Sequence, residues 1–295
     1  MSTVLTSLAK SMRFKQWTKN ALVMAGYVFS IGDQSISLAP TSFWRALAAT
    51  ALFCLASSAV YIMNDIRDRE QDRLHPEKRR RPIAAGLLTP ALAGAFSLLL
   101  ALSALLGGFL LSLAFAEVLL GYMILQVAYT LYLKRVGLVD VFVIAFGFVL
   151  RAVAGAVVIG VRFSPWLLLC ASLLALFLAL CKRRHEKLAF DQEESATRPS
   201  LDGYDTKLLD QLIGIVSSAS IICYSLYTLW PDTVEKFGTV RLSLTIPFVI
   251  FGIFRYLDLV YRHRKGDKPE QILLTDGPLM IDIALYAVCV LLVLL

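Results

Sequence analysis

Asn64-Asp65-Ile66-Arg67-Asp68-Arg69-Glu70-Gln71-Asp72, with Lys78-Arg79-Arg80-Arg81-Pro82 close behind, ends an apolar run that begins near residue 43. Charge this dense at the end of an apolar stretch marks a place where a membrane segment meets water, and ionisable side chains there have a use. On a continuous helix turning about 100° per residue, Asp65, Asp68 and Asp72 stand at i, i+3 and i+7 and share a narrow arc, with Asn64 beside Asp68. Three carboxylates facing one point repel unless a cation sits between them. Hard divalent ions such as Mg2+ take oxygen ligands and keep places for phosphate oxygens, so the spacing predicts a metal-bridged diphosphate. The competing reading is a solvated loop in which Asp and Arg pair at helical spacing.

The chain has 295 residues, of which 58% are hydrophobic. Its mean hydropathy is +0.69, well above that of ordinary soluble domains. This is the composition of an all-α integral membrane protein. Apolar stretches near the roughly 20 residues needed to cross a bilayer fall at 17–34, 43–63, 89–111, 114–133, 139–160, 164–181, 209–230, 241–261 and 277–295, which predicts nine transmembrane helices in one domain, 1–295. Residues 89–133 contain one charged residue, Glu117, and are too long for one crossing; Gly107-Gly108 and the following segment offer a place to turn.

Lys10, Arg13 and Lys15 precede the first stretch, Lys19 lies at its start, and no small-residue cleavage pattern follows, so a retained, cytoplasmic N-terminus is expected. With that orientation, segments 1–19, 64–81, 134–135, 182–207 and 262–268 hold 23 of the 29 Lys and Arg residues on the cytoplasmic side. The loops 64–88 and 182–208 are then the cytoplasmic active-site loops. Trp17, Trp44, Trp166 and Trp230 fall at span ends as interfacial anchors. Five scattered cysteines lack metal-ligand spacing and read as reduced packing residues. The net charge of +7 lies on one membrane face, which suits anionic headgroups and phosphorylated substrates and argues against nucleic acid. Neither a Walker loop nor a dinucleotide fingerprint is present. A transporter or channel accounts for the hydropathy but not for the aspartate spacing.

The Asn-Asp-x-x-Asp-x-x-x-Asp pattern of residues 64–72 resembles the first aspartate-rich motif of the UbiA intramembrane prenyltransferase superfamily, which makes ubiquinone and menaquinone precursors. Members normally carry another aspartate-rich motif in the second charged loop, where this chain reads Cys181-Lys182-Arg183-Arg184-His185-Glu186-Lys187-Leu188. That basic replacement is similar to the decaprenyl-phosphate phosphoribosyltransferase branch. So are Lys15-Gln16-Trp17-Thr18-Lys19-Asn20, Arg81-Pro82-Ile83-Ala84-Ala85-Gly86, the segment from Val139-Asp140 to Ala154-Gly155, Arg198 to Tyr204, Phe254-Arg255-Tyr256 and Pro269-Glu270.

The resemblance implies a UbiA-like bundle around a polar chamber open to the cytoplasm, in a bacterial inner membrane, with self-association. It implies transfer of 5-phosphoribose from phosphoribosyl diphosphate to a polyprenyl phosphate, with Mg2+ as cofactor and membrane lipids as surroundings. The alternative is a conventional prenyltransferase with a prenyl diphosphate donor and an aromatic or other small acceptor, its second metal pair recruited from Asp202 and Asp205. On the first reading Asp65, Asp68 and Asp72 hold the metal, with Asn64 as a further ligand or orienting group. Lys78 or Arg81 reaches the sugar 5-phosphate. Lys182 and Arg183 grip phosphate oxygens while Glu186, at i+4 from Lys182, orients them or engages ribose hydroxyls; an ordinary helix-end ion pair is the plainer possibility. Asp140 and Arg151 are eleven residues apart and share a helical face, either as a structural bond to a neighbouring helix or with Arg151 turned to the lipid phosphate. Lys19, Tyr129 and Lys134 are further phosphate-binding expectations. His185 reads as structural, because a phosphate acceptor needs no obligatory base.

Overall fold

The computed structural model describes residues 2–31, 33, 38–161, 164–192, 204–263, 272 and 275–294. Among the described residues all regular structure is helical. In chain order the α-helices are α1 (Ser2–Ser11), α2 (Ala25–Ile31), α3 (Ser42–Arg67), α4 (Arg69–Leu74), α5 (Pro90–Leu111) and α6 (Leu113–Leu131). There follow α7 (Val139–Ile159), α8 (Pro165–Gln192), α9 (Thr206–Leu229), α10 (Pro231–Phe237), α11 (Ile246–Tyr261) and α12 (Gly277–Leu294).

Seven helical runs among the described residues are long and apolar enough to cross a membrane: α3, α5, α6, α7, α8, α9 and Arg241–Tyr261, which contains α11. Large apolar side chains along α5, such as Leu98, Leu102, Leu106 and Phe109, are exposed, as they should be where the solvent is lipid. The apolar part of α12 is shorter, Gly277–Val293. The first expected crossing, 17–34, is not one regular helix: a 3-10 segment (Phe14–Met24) leads into the short α2. The polar side chains at its start bond to α3 instead of facing lipid. Trp17 Nε1 donates to Ser58 Oγ at 3.0 Å, and Asn20 Nδ2 donates to Ser57 Oγ at 3.0 Å.

Two compact units divide the chain. The first comprises Met1–Val28, Leu38–Tyr132 and Leu150–Arg162. In it α3 packs on the 3-10 segment, α5 and α6, around Val23, Phe53, Phe115, Leu119, Tyr122 and Val158. The backbone of the 3-10 segment runs so close to α7 that a Cβ on Gly155 would stand 1.8 Å from the Val23 carbonyl oxygen, and one on Gly26 2.7 Å from the Ala156 nitrogen. Only glycine allows that approach. The turn expected at Gly107-Gly108 and the segment after it falls in that segment, at Ser112, whose extended backbone (φ −172°, ψ 136°) separates α5 from α6. The glycine pair stays helical and makes room for neighbours, with Leu52 filling the space at Gly107.

The second unit comprises Phe29–Ser37, Leu133–Val149 and Phe163–Leu295. Here α8 packs on α9, α9 on α11 and α11 on α12. Phe177, Leu209, Ile213, Tyr256 and Leu259 fill its main core. Arg255 on α11 forks onto Asp276 at the start of α12 with Nε and Nη2 at 3.0 and 2.8 Å, and reaches Asp258 at 2.9 Å, so the paired cation of the eighth expected span ties two helices together.

Candidate active site

The first charged cluster is built where α3 stops. The helix does not run on through the aspartates: α3 ends at Arg67, Asp68 adopts φ −89° and ψ 8°, and α4 restarts at Arg69. Two bonds hold the junction, from the Asp68 N–H to the Asn64 carbonyl at 2.9 Å and from the Asp72 N–H to the Asp68 carbonyl at 2.8 Å. Asp65 and Asp72 are buried at 2% and 4% exposure, while Asn64 and Asp68 are partly exposed. The break re-aims the carboxylates, so the expected arc of three on one continuous helix is not formed. Among the described residues no three Asp, Glu, His or Cys side chains converge as a metal group.

Two carboxylates meet around a guanidinium instead. Arg81 Nη1 donates to Asp65 Oδ1 at 3.0 Å and to Asp72 Oδ2 at 2.7 Å. Arg13 Nη2 bonds the same Asp65 Oδ1, and its guanidinium lies 5.3 Å from the centre of the Tyr61 ring. Arg13 holds a left-handed backbone conformation (φ 54°, ψ 53°), uncommon for a residue with a side chain and kept only where neighbours impose it.

Arg81 is extended (φ −65°, ψ 140°), as the following Pro82 requires. The loop carrying it is anchored below by buried Ile83 and Leu88, and by Arg73 Nε donating to the Ala84 carbonyl at 3.2 Å. It is anchored above by His75, whose Nδ1 accepts the N–H groups of Glu77 and Lys78 at 3.2 and 3.4 Å. Partial burial, then the charge of Lys78, push the His75 pKa below its ordinary value of 6.5. Lys78 is partly exposed at the head of a short 3-10 turn, Lys78–Arg80.

The second charged cluster lies in the other unit and is closed. Asp140, at the start of α7, is fully buried; Arg183 Nε stands 2.6 Å from its Oδ2 as a charge contact, and the Tyr204 hydroxyl donates to Oδ1 at 2.5 Å. That hydroxyl also accepts the N–H of Leu138 at 2.7 Å. Burial, then the bond to Asp140, raise the Tyr204 phenol above its usual range. Arg183 also pairs with Glu186, so Glu186 partners the residue three before it and not Lys182. Lys182 remains partly exposed. Arg184 bonds Asp210 at 2.5 Å and lies 4.1 Å above the ring of Tyr261, whose hydroxyl also donates to Asp210.

Arg151 belongs to a third, buried group in the first unit. Its Nε donates to Asn20 Oδ1 at 2.8 Å, its Nη2 to the Tyr122 hydroxyl at 2.8 Å, and its guanidinium sits 4.8 Å from the Tyr122 ring centre. Asp140 and Arg151 therefore serve different clusters in spite of their shared helical face. Lys19, Tyr129 and Lys134 are partly exposed, in the 3-10 segment, in α6 and in the turn Leu133–Arg135. Asp202 with most of Arg198–Tyr204, and Pro269-Glu270, lie outside the described residues. Asp205 caps α9 by accepting the Lys207 N–H at 3.3 Å. Arg13, Tyr122 and Tyr204 are the participants that sequence spacing alone does not single out as site residues.

With these helices and clusters in place, residues 22–274 match the model of the UbiA prenyltransferase family. The chain belongs to the UbiA prenyltransferase family. Its relatives include the decaprenyl-phosphate phosphoribosyltransferase of Mycolicibacterium smegmatis, 33% identical over 94% of this chain and 89% of that one. The protein of the same name from Corynebacterium glutamicum is 34% identical over 96% and 85%. Among solved structures, a UbiA homologue from Archaeoglobus fulgidus bound to GPP and Mg2+ aligns with a TM-score of 0.72 at 18% identity, covering 98% of this chain and 99% of that chain. At that identity the likeness establishes the fold.

As a UbiA protein the chain presents a donor set suited to a hard divalent ion. The position that Arg81 Nη1 occupies lies between carboxylate oxygens from two successive helices, at 3.0 and 2.7 Å, and oxygen donors converging on one cation are what Mg2+ takes. Next to Arg81 in sequence, the 3-10 turn Lys78–Arg80 carries three further cations, Arg79 and Arg80 exposed and Lys78 partly so.

Proposed function

We propose that this UbiA protein transfers the 5-phosphoribosyl group of phosphoribosyl diphosphate to a polyprenyl phosphate, decaprenyl phosphate or a close analogue, and releases diphosphate. The observation that carries the reading is likeness over nearly the whole chain, at 33% and 34% identity, to two enzymes named for that transfer. The basic run Lys182-Arg183-Arg184 within α8 supports it through the partly exposed Lys182, since an additional phosphate calls for a cation where a second metal site would call for carboxylates.

Asp65 and Asp72 would hold Mg2+, with Asp68 and Asn64 at the α3–α4 junction as further ligands or orienting groups. The ion supplies charge stabilisation for the departing diphosphate. Lys78 and Arg81 bind donor phosphates. Lys182 meets a phosphate from the C-terminal half of α8; Arg183, buried between Asp140 and Glu186, is a positioning residue that fixes this part of the helix. Lys19, Tyr129 and Lys134 offer further hydrogen bonds to phosphate. The acceptor phosphate is already nucleophilic, so the protein has to orient it and keep water from the anomeric carbon.

The membrane reading that accompanies this function is one domain, 1–295, with nine crossings around a polar chamber open to the cytoplasm. The 3-10 segment with α2 and the short α12 would complete the count beside the seven long runs. The family match through residues 22–274 supports treating the chain as one domain. The basic loops support a cytoplasmic active site in a bacterial plasma membrane. The conventional prenyltransferase reading recruits Asp205 to a metal, whereas that side chain caps α9.

Donor choice tests the proposal. Purified protein is given labelled phosphoribosyl diphosphate with polyprenyl phosphate, and in parallel a labelled prenyl diphosphate with an aromatic acceptor. Label from the sugar donor alone should pass into the lipid, stop with a chelator and return with Mg2+. A prenylated aromatic, with no labelled lipid phosphate, would overturn the reading.

A further inference from the structure

Asp65 and Asp72 are almost fully buried, and two guanidiniums, Arg13 and Arg81, contact them. Within this group of four, two negative charges balance two positive ones. A bare divalent ion entering would leave two uncompensated positive charges among buried groups, which is costly. The same ion arriving with a diphosphate brings its own negative charge and keeps the group near neutrality. The geometry agrees with the charge count: Arg81 Nη1 sits between Asp65 Oδ1 and Asp72 Oδ2, in the position a shared ion would take.

The two arginines are not held alike. Arg13 is fixed by its left-handed backbone, by Tyr61 beneath its guanidinium and by the segment that follows, which Trp17 and Asn20 bond to α3. Arg81 instead follows the short 3-10 turn Lys78–Arg80, on the connection between α4 and α5.

We infer that Arg13 and Arg81 are cation placeholders, which hold the carboxylate pair until metal and diphosphate enter together and displace Arg81. Arg13 is then a positioning residue that stays on Asp65, and Arg81 is the exchangeable one, freed on displacement to offer its donors to a donor phosphate. The inference rests on the assignment of Asp65 and Asp72 to the metal in the proposed function.

Mn2+ binding to the full chain in detergent, read by electron paramagnetic resonance with and without inorganic pyrophosphate, tests it without turnover. Wild type should bind Mn2+ alone weakly and roughly tenfold or more tightly with pyrophosphate, the scale of a nearby charge pair. Arg81→Gln should bind Mn2+ alone roughly tenfold more tightly than wild type, because a competing charge is gone. Arg13→Gln should shift the same way. Where Arg81→Gln does not fold, Arg81→Lys keeps a charge without the fork and should fall between the two.

Equal affinity of wild type and the Arg81 variant for Mn2+ alone overturns the inference, as does binding that survives in an Asp65→Asn/Asp72→Asn double variant. If phosphoribosyl transfer persists alongside equal affinities, the placeholder idea fails while the proposed function stands. If the protein instead prenylates an aromatic, the function fails and the Mn2+ comparison still decides the placeholders.

Discussion

At the scale of single residues, one side chain can be removed and its partner left stranded. Asp65 accepts from two guanidiniums, so Asp65→Asn removes the anchor for Arg13 and Arg81 together with the proposed metal donor. Phosphoribosyl transfer should fall by about 100-fold or more, the scale seen when a charge-stabilising group is lost, and the deficit should appear in kcat at saturating donor. A variant retaining near wild-type turnover would remove Asp65 from the site. His75 gives a pH-dependent expectation. Its folded pKa lies below the ordinary 6.5, so the neutral ring favours the folded loop. The stabilisation is whole above the unfolded value and declines as pH falls below it, because protonation removes the acceptor used by Glu77 and Lys78. In protein labelled at its three histidines, the NMR signal missing from His75→Gln should titrate below 6.5; titration at or above that value contradicts the bonding described.

At the scale of elements, two packing features carry measurable cost. The C-terminal half of α8 is fixed by Arg183 between Asp140 and Glu186, and Arg183→Met leaves a fully buried carboxylate without that cation. The loss should be about 3–5 kcal/mol in a denaturation series, largely recovered in Asp140→Asn/Arg183→Met, since replacing both partners of a buried pair is far milder than removing one. A single variant as stable as wild type would show that the pair does not hold this part of the helix. The crossing of the 3-10 segment on α7 is tighter still. Gly155→Ala puts a methyl group into the Val23 carbonyl and should destabilise by about 1–3 kcal/mol or more. Gly121→Ala in α6 meets nothing within 4 Å and should be neutral or stabilising by about 0.5–1 kcal/mol. Equal melting temperatures for the two variants would contradict the crossing.

These elements also show what could be read from the chain itself. The seven long apolar runs were visible because membrane thickness sets length and composition together. The break at Asp68 was not, since it depends on the loop that returns through Arg81 to bond Asp65 and Asp72. The turn between α5 and α6 falls in the segment after Gly107-Gly108, at Ser112, while the glycines themselves make room for Leu52 and neighbouring rings. In the site, Asp65 and Asp72 came from spacing, whereas Arg13 lies 52 residues from its partner and carries no local signal. Asp140 and Arg151 were correctly singled out as charges needing partners, and their partners, Arg183 with Tyr204 and Asn20 with Tyr122, are products of tertiary packing.

At the scale of the whole molecule, each of the two units carries its own charged cluster, one centred on paired aspartates and the other on the basic run of α8. The family match runs through both. A fold shared with a protein solved with GPP and Mg2+ does not choose the donor; the near full-length relatives and the basic run of α8 support the proposed phosphoribosyl donor. The most direct measurement is the mass of the lipid recovered after the purified protein is incubated with phosphoribosyl diphosphate, Mg2+ and decaprenyl phosphate. The account predicts a lipid heavier by one phosphoribosyl group, with diphosphate released in equal amount. Unaltered decaprenyl phosphate, from a preparation that prenylates an aromatic acceptor under the same conditions, would contradict it.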